Sequence, residues 1–502
     1  PNCPEMAELA RAHGGRVRIA SGALPGLDIL RCAHEGTIRS VHLRSQIKPG
    51  SMAHERYVLD RGFDFANAPP AMQPAVGFAL PGDWITLGEP RVRPDARPGP
   101  RASSAAGIGG RLKERPEDFI VEEIPAYDPC GEGEHLYLGI QKTNMPHSEM
   151  LGVVCRHFRV EESAVGFAGM KDRVAVTHQT VSVHVPGDRA VGELRHERLV
   201  VTWAQRHTNK LRRGHLRGNR FAIRIRGVDP LKVVEVKRRM ELLASAGIPD
   251  YFGEQRFGYR VNNHLHGRMY ARGEWQPLLD ELLGARGTPF PPHQLAAREA
   301  YEAGRFAEAH DMWGRNDQAE RIALRALAKG RDAAGAVRAV PAHVRDFWMS
   351  ALQAAVYNEA LTRRVRDGSF ARVMRGDVVA LAGSSSVFPV APDASDEEIG
   401  ALNARCAALD LSPAGPICGP SMVAAAGVPA EVERAALAAH GCDGGEFMPP
   451  ALSQEGARRP FRIVMRDWSV DAGVDEHGGY IRLAFDLPKG AFATVLCREI
   501  TG

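Results

Sequence analysis

The sequence predicts an α+β chain. Its sheet domain is mixed and largely antiparallel, interrupted by a mostly helical insertion, and preceded by an extra N-terminal domain. Three observations predict this. Strand alternation and helix periodicity mix irregularly from Arg111 to residue 261, with several hairpin-like pairs. The texture turns Ala-rich and helical from Asn262 to Arg459, and strands return at Phe461–Val464 and Tyr480–Asp486. A Pro- and Gly-rich stretch separates all of this from the first block. At 502 residues the chain exceeds one ordinary core, so two or three domains are expected.

The first block covers residues 1–88 and holds apolar segments such as Thr37–Leu43, with Trp84–Leu87 as its last strand. Residues 89–110 have linker composition, with Pro90, Pro94, Pro98 and Pro100 and a closing Gly107-Ile-Gly-Gly110. No strand precedes that glycine run, so a dinucleotide-binding loop is discarded. From Arg111, strands are expected at Asp118–Glu123, His135–Ile140, Leu199–Trp203 and Phe221–Ile225. A helix is expected from Ser148, as N-cap, to Val160. Another runs from Asp229 to Ala246, with Pro230 in its first turn and Gly247 just beyond its end. Helices at Ala319–Lys329 and Phe347–Val365 belong to the insertion, which spans 262–459. The sheet domain is then 111–261 plus 460–502.

Eight cysteines are scattered with no C-x-x-C, which reads as reduced thiols in the cytoplasm rather than a disulfide framework. Cys3, His13, Cys32 and His34 match no standard zinc spacing, and no metal is expected. No apolar run reaches the roughly 18 residues of a membrane helix, and charged residues interrupt any signal-peptide core. The chain starts at Pro1 rather than Met, so the native N-terminus need not be included.

The most informative stretch is Gly166-Phe-Ala-Gly-Met-Lys-Asp-Arg-Val-Ala-Val-Thr-His-Gln179. Small residues precede Lys171-Asp172, and the alternating Val181, Val183 and Val185 follow, which puts Asp172 on a tight loop entering a strand. Read by itself, Asp172 fits a solvated turn carboxylate as well as a reactive one. The second signal is charge. Between Arg198 and Asp229 no acidic residue occurs, while Arg198, Arg206, Lys210, Arg212, Arg213, Arg217, Arg220, Arg224 and Arg226 do. In a chain whose net charge is only +4, such a concentration points to a polyanion such as RNA, with the cations on phosphate.

Gly169 to Gln179 resembles the Gly-x-Lys-Asp-x-x-Ala-x-Thr-x-Gln signature of the TruD family of RNA pseudouridine synthases. Further segments resemble the family in the same order: Leu112–Phe119, Gly131–His135, Lys210–Phe221, Gly247–Gly258 (with Asp250 where the family has Asn) and Leu487–Glu499. The resemblance covers about 111–502 and leaves the first hundred residues unexplained, where Arg39, His42, Arg44 and Lys48 hint at RNA. It implies Asp172 as the catalytic residue, with Lys113 and Lys171 as supporting cations. It implies Asn219, Phe221 and Phe492 around the target base, since an amide pairs with uracil edges and aromatic faces stack on bases. Read without the resemblance, Phe221 is a core position of an alternating strand, the aromatics of Gly247–Gly258 are core or loop-ordering, and Arg256 is an RNA contact or a structural ion pair. Lys210, Arg212, Arg213, Arg217, Arg220 and Arg256 are expected on the RNA backbone.

The implied reaction is isomerisation of uridine to pseudouridine, in tRNA at position 13, by a monomer that needs no cofactor. Asp172 would act either as a nucleophile at C1′ or as a base on the 2′ proton, on a uridine that has left its helix. The competing reading is a non-catalytic RNA-binding protein on the same fold. A methyltransferase lacks its glycine-rich loop, and a helical scaffold leaves the basic strip unexplained.

Overall fold

The computed structural model describes residues 85–86, 96–102, 106–187, 192–447 and 455–502. Cys3, His13, Cys32 and His34, the hinted RNA contacts at 39–48 and almost all of the first block lie outside them. The described residues fall within one unit, Val76–Gly502.

In chain order the strands are β1 (Phe119–Pro125), β2 (His135–Thr143), β3 (Val165–Phe167), β4 (Val176–His184), β5 (Leu199–His207), β6 (Leu216–Arg226), β7 (Ile248–Pro249), β8 (Val378–Leu381), β9 (Val387–Pro389), β10 (Leu411–Ile417), β11 (Ala457–Pro460), β12 (Arg462–Ile463), β13 (Arg466–Asp475) and β14 (Gly478–Pro488). The helices are α1 (His147–Phe158), α2 (Val233–Ala246), α3 (Asn263–Ala271), α4 (Trp275–Leu283), α5 (Leu295–Glu302), α6 (Phe306–Met312), α7 (Gln318–Ala328), α8 (Ala333–Ala339), α9 (Ala342–Arg366), α10 (Asp396–Ala407), α11 (Gly427–Ala439) and α12 (Ala493–Thr501).

The main sheet runs β13-β14-β6-β1-β4-β2-β5, with β3 paired to β4. Every pairing in it is antiparallel except β1 with β4, so the sheet is mixed and largely antiparallel as expected. Strands β13 and β14 follow the insertion in sequence yet join β6 in this sheet. The chain thus leaves the sheet, builds the insertion and returns.

Two apolar clusters cover the sheet. One packs Val236, Met240 and Leu243 of α2 and Leu496, Cys497 and Ile500 of α12 onto Phe119, Val121, Phe221, Ile223, Leu483 and Phe485. The other packs Met150, Val154 and Phe158 of α1 onto Leu138, Ile140, Val181 and Val183. Paired residues in a sheet project to the same side, and Val121 pairs with Thr177, two positions along β4 from Gln179 and four from Val181. Both clusters therefore lie on one face, and a polar strip separates them.

Helix boundaries follow local chemistry. Asp229 caps a short 3-10 turn at Pro230–Lys232 by accepting from the Leu231 amide, and α2 follows directly and stops at Gly247, whose φ is 84°. Ser148 is not an N-cap: α1 begins at His147 after Pro146, and no side chain caps it. Proline already removes one amide from that first turn.

The insertion has its own core under α3 to α9, built on Leu278, Leu282, Trp313, Leu324 and Trp348. It also contains a four-stranded sheet, β11-β10-β8-β9, which a mostly helical reading did not include. Its exit is tied to its entry, since β12 pairs with β7 and the Asp250 amide donates to the Phe461 carbonyl.

The stretch with linker composition is packed where it is described. Ala96 is buried beside Phe257 and Ala354, and its carbonyl accepts from Asn358. The Ile108 and Gly109 amides donate to Ile500 and Thr501, and a Cβ on Gly107 would lie 2.0 Å from the Thr501 carbonyl oxygen. Glycine there permits a backbone-to-backbone approach that no side chain allows. Ile85 bridges to Phe290 of the insertion.

Candidate active site

Asp172 sits in the loop between β3 and β4, and that loop is held at several points. The Gly214 amide donates to the Ala168 carbonyl at 2.8 Å, and the Asn144 amide donates to Ala175 at 3.1 Å. The Lys171 ammonium reaches Glu123 Oε2 at 2.6 Å, with both side chains buried. The fully buried Lys142 ammonium donates to the Asp172 carbonyl at 2.7 Å and the Met145 carbonyl at 2.9 Å. A buried ion pair with good geometry and a buried ammonium on two carbonyls leave the loop little freedom.

The Asp172 carboxylate is about one-third exposed, and Lys113 Nζ lies 2.8 Å from its Oδ1. Lys113 has φ 57°, which is left-handed and uncommon for a residue with a β-carbon. Its ammonium also lies 4.2 Å from the centroid of the Phe119 ring. Lys113 and Asp172 are thus brought together. The Lys171 ammonium pairs with Glu123, and the cation on the Asp172 carboxylate is Lys113.

The sheet register places the surrounding residues. Lys142, Thr177, Val121, Phe221 and Phe485 form one row across β2, β4, β1, β6 and β14. Two residues further along, Ile140 pairs with Gln179 and Glu123 with Asn219 and, beyond it, Leu487, just past the last β1–β4 pair, Glu122 with His178. Gln179, Glu123 and Asn219 make this stretch polar where the sheet face is otherwise apolar. Asn219 Oδ1 is buried without a hydrogen-bond partner among the described residues.

Phe221 is buried, edge-on to Phe119 at 6.2 Å and stacked on Phe485 at 5.5 Å. Phe492 stands at the start of α12, half-buried and edge-on to Phe252 at 6.2 Å.

The basic strip is less free than its sequence implies. Arg220 forms a two-pronged pair with Asp486 at 2.9 and 3.0 Å, which removes it from the free phosphate-binding cations. Arg198 pairs with Glu149, and Arg226 with Asp118 and Asp475. The partners come from α1, the turn before β1, β13 and β14, so a local gap in acidic residues does not leave these arginines unopposed. The loop from 208 to 215 is different: Arg212 and Arg213 are exposed, with Arg213 5.4 Å from the Phe167 ring centroid. Lys210 donates to the Ser163 carbonyl, and Arg217 Nε to the Pro125 carbonyl at 2.9 Å. Arg256 lies between the Phe252 and Phe347 rings, 5.7 and 5.6 Å from their centroids.

Sequence reasoning gave Glu123 and Lys142 no role. Each continues the inward side of an apolar strand, after Phe119 and Val121 or after Leu138 and Ile140. A charge on the apolar side of an alternating strand is the signal that marks them.

Burial pushes the Lys142 ammonium down to about 8, although Asp172 pulls it the other way. The unfolded chain keeps that lysine charged up to its ordinary 10.5. The cost of burying the charge is therefore fully present below about pH 8 and is relieved as pH rises toward 10.5. Relative to Lys142→Met, the wild type should gain up to about 3 kcal/mol across that window. Urea unfolding of both proteins at several pH values measures this, and parallel stability curves would refute it.

A family model described as tRNA pseudouridine synthase D (TruD) matches residues 100–500. This chain belongs to the TruD family. A tRNA pseudouridine synthase D of Geobacter metallireducens is 36% identical over 396 residues, covering 78% of this chain and 95% of the relative. One from Anaeromyxobacter dehalogenans is 33% identical over 395 residues, covering 79% and 94%. The crystal structure of a putative TruD from Methanosarcina mazei superposes with a TM-score of 0.68 at 26% identity, covering 81% of this chain and 96% of that one.

Proposed function

We propose that Asp172 is the residue through which this TruD-family enzyme isomerises uridine to pseudouridine in tRNA. The observation that carries the reading is the part-exposed Asp172 carboxylate, paired with Lys113 on a loop braced from two strands by Glu123 and Lys142. The N-glycosidic bond breaks, the uracil turns, and a C5–C1′ bond forms. C5 gives up its proton and N1 ends protonated, so atoms and charge balance without a redox partner. Asp172 acts on the ribose, as a nucleophile at C1′ or as a base at the 2′ position. Lys113 steadies negative charge developing on the detached base. Asn219 pairs with the base edge and Phe492 stacks on it.

Lys210, Arg212, Arg213, Arg217 and Arg256 hold the RNA backbone. Residues 111–261 and 460–502 carry the catalysis, and 262–459 form the insertion flanking it. The target is the uridine at position 13 in the D-arm. The enzyme works as a monomer in the cytoplasm, where tRNA is found. Among the described residues no helix is long and apolar enough to cross a membrane. A purely RNA-binding role would leave the Lys113–Asp172 pair without a task.

Pseudouridine mapping of tRNA treated with the wild type tests the reaction and its position; no new pseudouridine would sink it. Lys113→Met should lower the single-turnover rate on the order of 10²-fold, with tRNA affinity changed less than about threefold. An unchanged rate would remove Lys113 from the mechanism.

A further inference from the structure

We propose that Gln179 is a second base-holding residue, opposite Asn219, that accepts a hydrogen bond from an N–H of the target uracil. This inference rests on the proposed function. Gln179 is 4% exposed. Its amide nitrogen donates to the Met150 sulfur at 3.2 Å, a weak bond, while its Oε1 is buried without a partner among the described residues. An unpaired buried carbonyl is costly and uncommon, so its retention calls for a task that folding does not supply.

Its place says what the task is. Asn219 pairs with Glu123 across β6 and β1. Gln179 lies on the other side of β1, between His178, which pairs with Glu122, and Thr180, whose amide reaches Glu123. Gln179 and Asn219 each have an orphaned side-chain oxygen. Glu123 between them is already occupied, by the Lys171 ammonium and by the Thr180 amide at 3.3 Å. Glu123 adjoins the loop carrying Asp172 through Lys171. Two free acceptors on either side of a filled carboxylate suit a flat ring with N–H groups on its edge. Uracil has such an edge at N3, whereas cytosine presents an acceptor there and would be refused. A half-turn of the ring about its C6–N3 axis brings C5 to C1′ and leaves N3–H in place, so an acceptor at N3 can hold the base throughout.

The test is Gln179→Met, which keeps the length and apolar bulk against Met150 and removes the orphaned oxygen. Three quantities are read on a tRNA that the wild type converts: single-turnover rate, affinity and thermal midpoint. The expected result is a rate lowered at least about tenfold, affinity within about threefold, and a midpoint equal to or above the wild type. A purely structural glutamine would behave the opposite way, losing stability on substitution. A rate within threefold of the wild type, or a midpoint lowered by several degrees, would overturn the inference. If Gln179→Met fails to fold, Gln179→Leu carries the same comparison. Wild-type protein that makes no pseudouridine in any tRNA sinks the proposed function and this inference with it. Wild-type conversion matched by an equally active Gln179→Met sinks this inference alone.

Discussion

Asp172→Asn is expected to abolish pseudouridine formation, with a loss on the order of 10⁴-fold or more, while tRNA binding stays within a few-fold of the wild type. The substitution keeps the size and planarity of the side chain. It removes the negative charge that pairs with Lys113 at 2.8 Å and the ability to attack C1′ or take a proton. The loop should keep its shape, because its braces do not use the carboxylate. Lys142 holds the Asp172 backbone carbonyl, and Lys171 is anchored on Glu123. Binding should survive because the exposed Arg212, Arg213 and Arg217 do not pair with that carboxylate, whose partner is Lys113. Single-turnover assays on tRNA, with affinity measured alongside, decide the matter. A variant that retained a tenth of the activity would take Asp172 out of the chemistry.

Glu123→Leu should produce the largest loss of stability among single changes at the site. It leaves the Lys171 ammonium buried and unpaired, and breaking such a pair from one side costs about 3–5 kcal/mol. The Thr180 amide loses its carboxylate acceptor as well. The double variant Glu123→Leu/Lys171→Met should recover most of the loss, since no charge is then stranded in an apolar setting. Denaturant unfolding of the two single variants and the double variant tests this. Losses that simply add would mean that Glu123 and Lys171 do not act as a pair.

The fold was legible wherever local pattern and final environment agree. β1, β2, β6, β14, α2, α7 and α9 stand where alternation or helical periodicity places them, because each has a clear apolar side. β13 was missed because most of its residues face solvent, so it has no apolar side to read. β10 was missed because Pro413 and Pro416 argue against a strand. At the site, motif spacing pointed to Asp172 and Lys113, but not to which lysine would pair with the carboxylate. Lys171 is adjacent in sequence, yet adjacent strand and loop residues project differently, and Glu123 lies where Lys171 reaches. The pairing of Arg220 with Asp486 was equally hidden, because the two are far apart in sequence and meet only through the β6–β14 register.

The separation of β6 from β14 also sets the order in which the protein can be made. β6 ends at Arg226, and its partner begins at Gly478, about 250 residues later. At roughly 5–20 residues per second on the ribosome, β6 waits on the order of 10–50 s for its neighbour. During that interval Phe221, Ile223 and Ile225 lack the strand and the C-terminal helix that later cover them. The insertion, with a core of its own, can fold in the meantime. The nascent chain therefore carries an open, apolar sheet edge until synthesis is nearly complete, a state in which chaperones or ribosome proximity would matter more than they do for the finished enzyme.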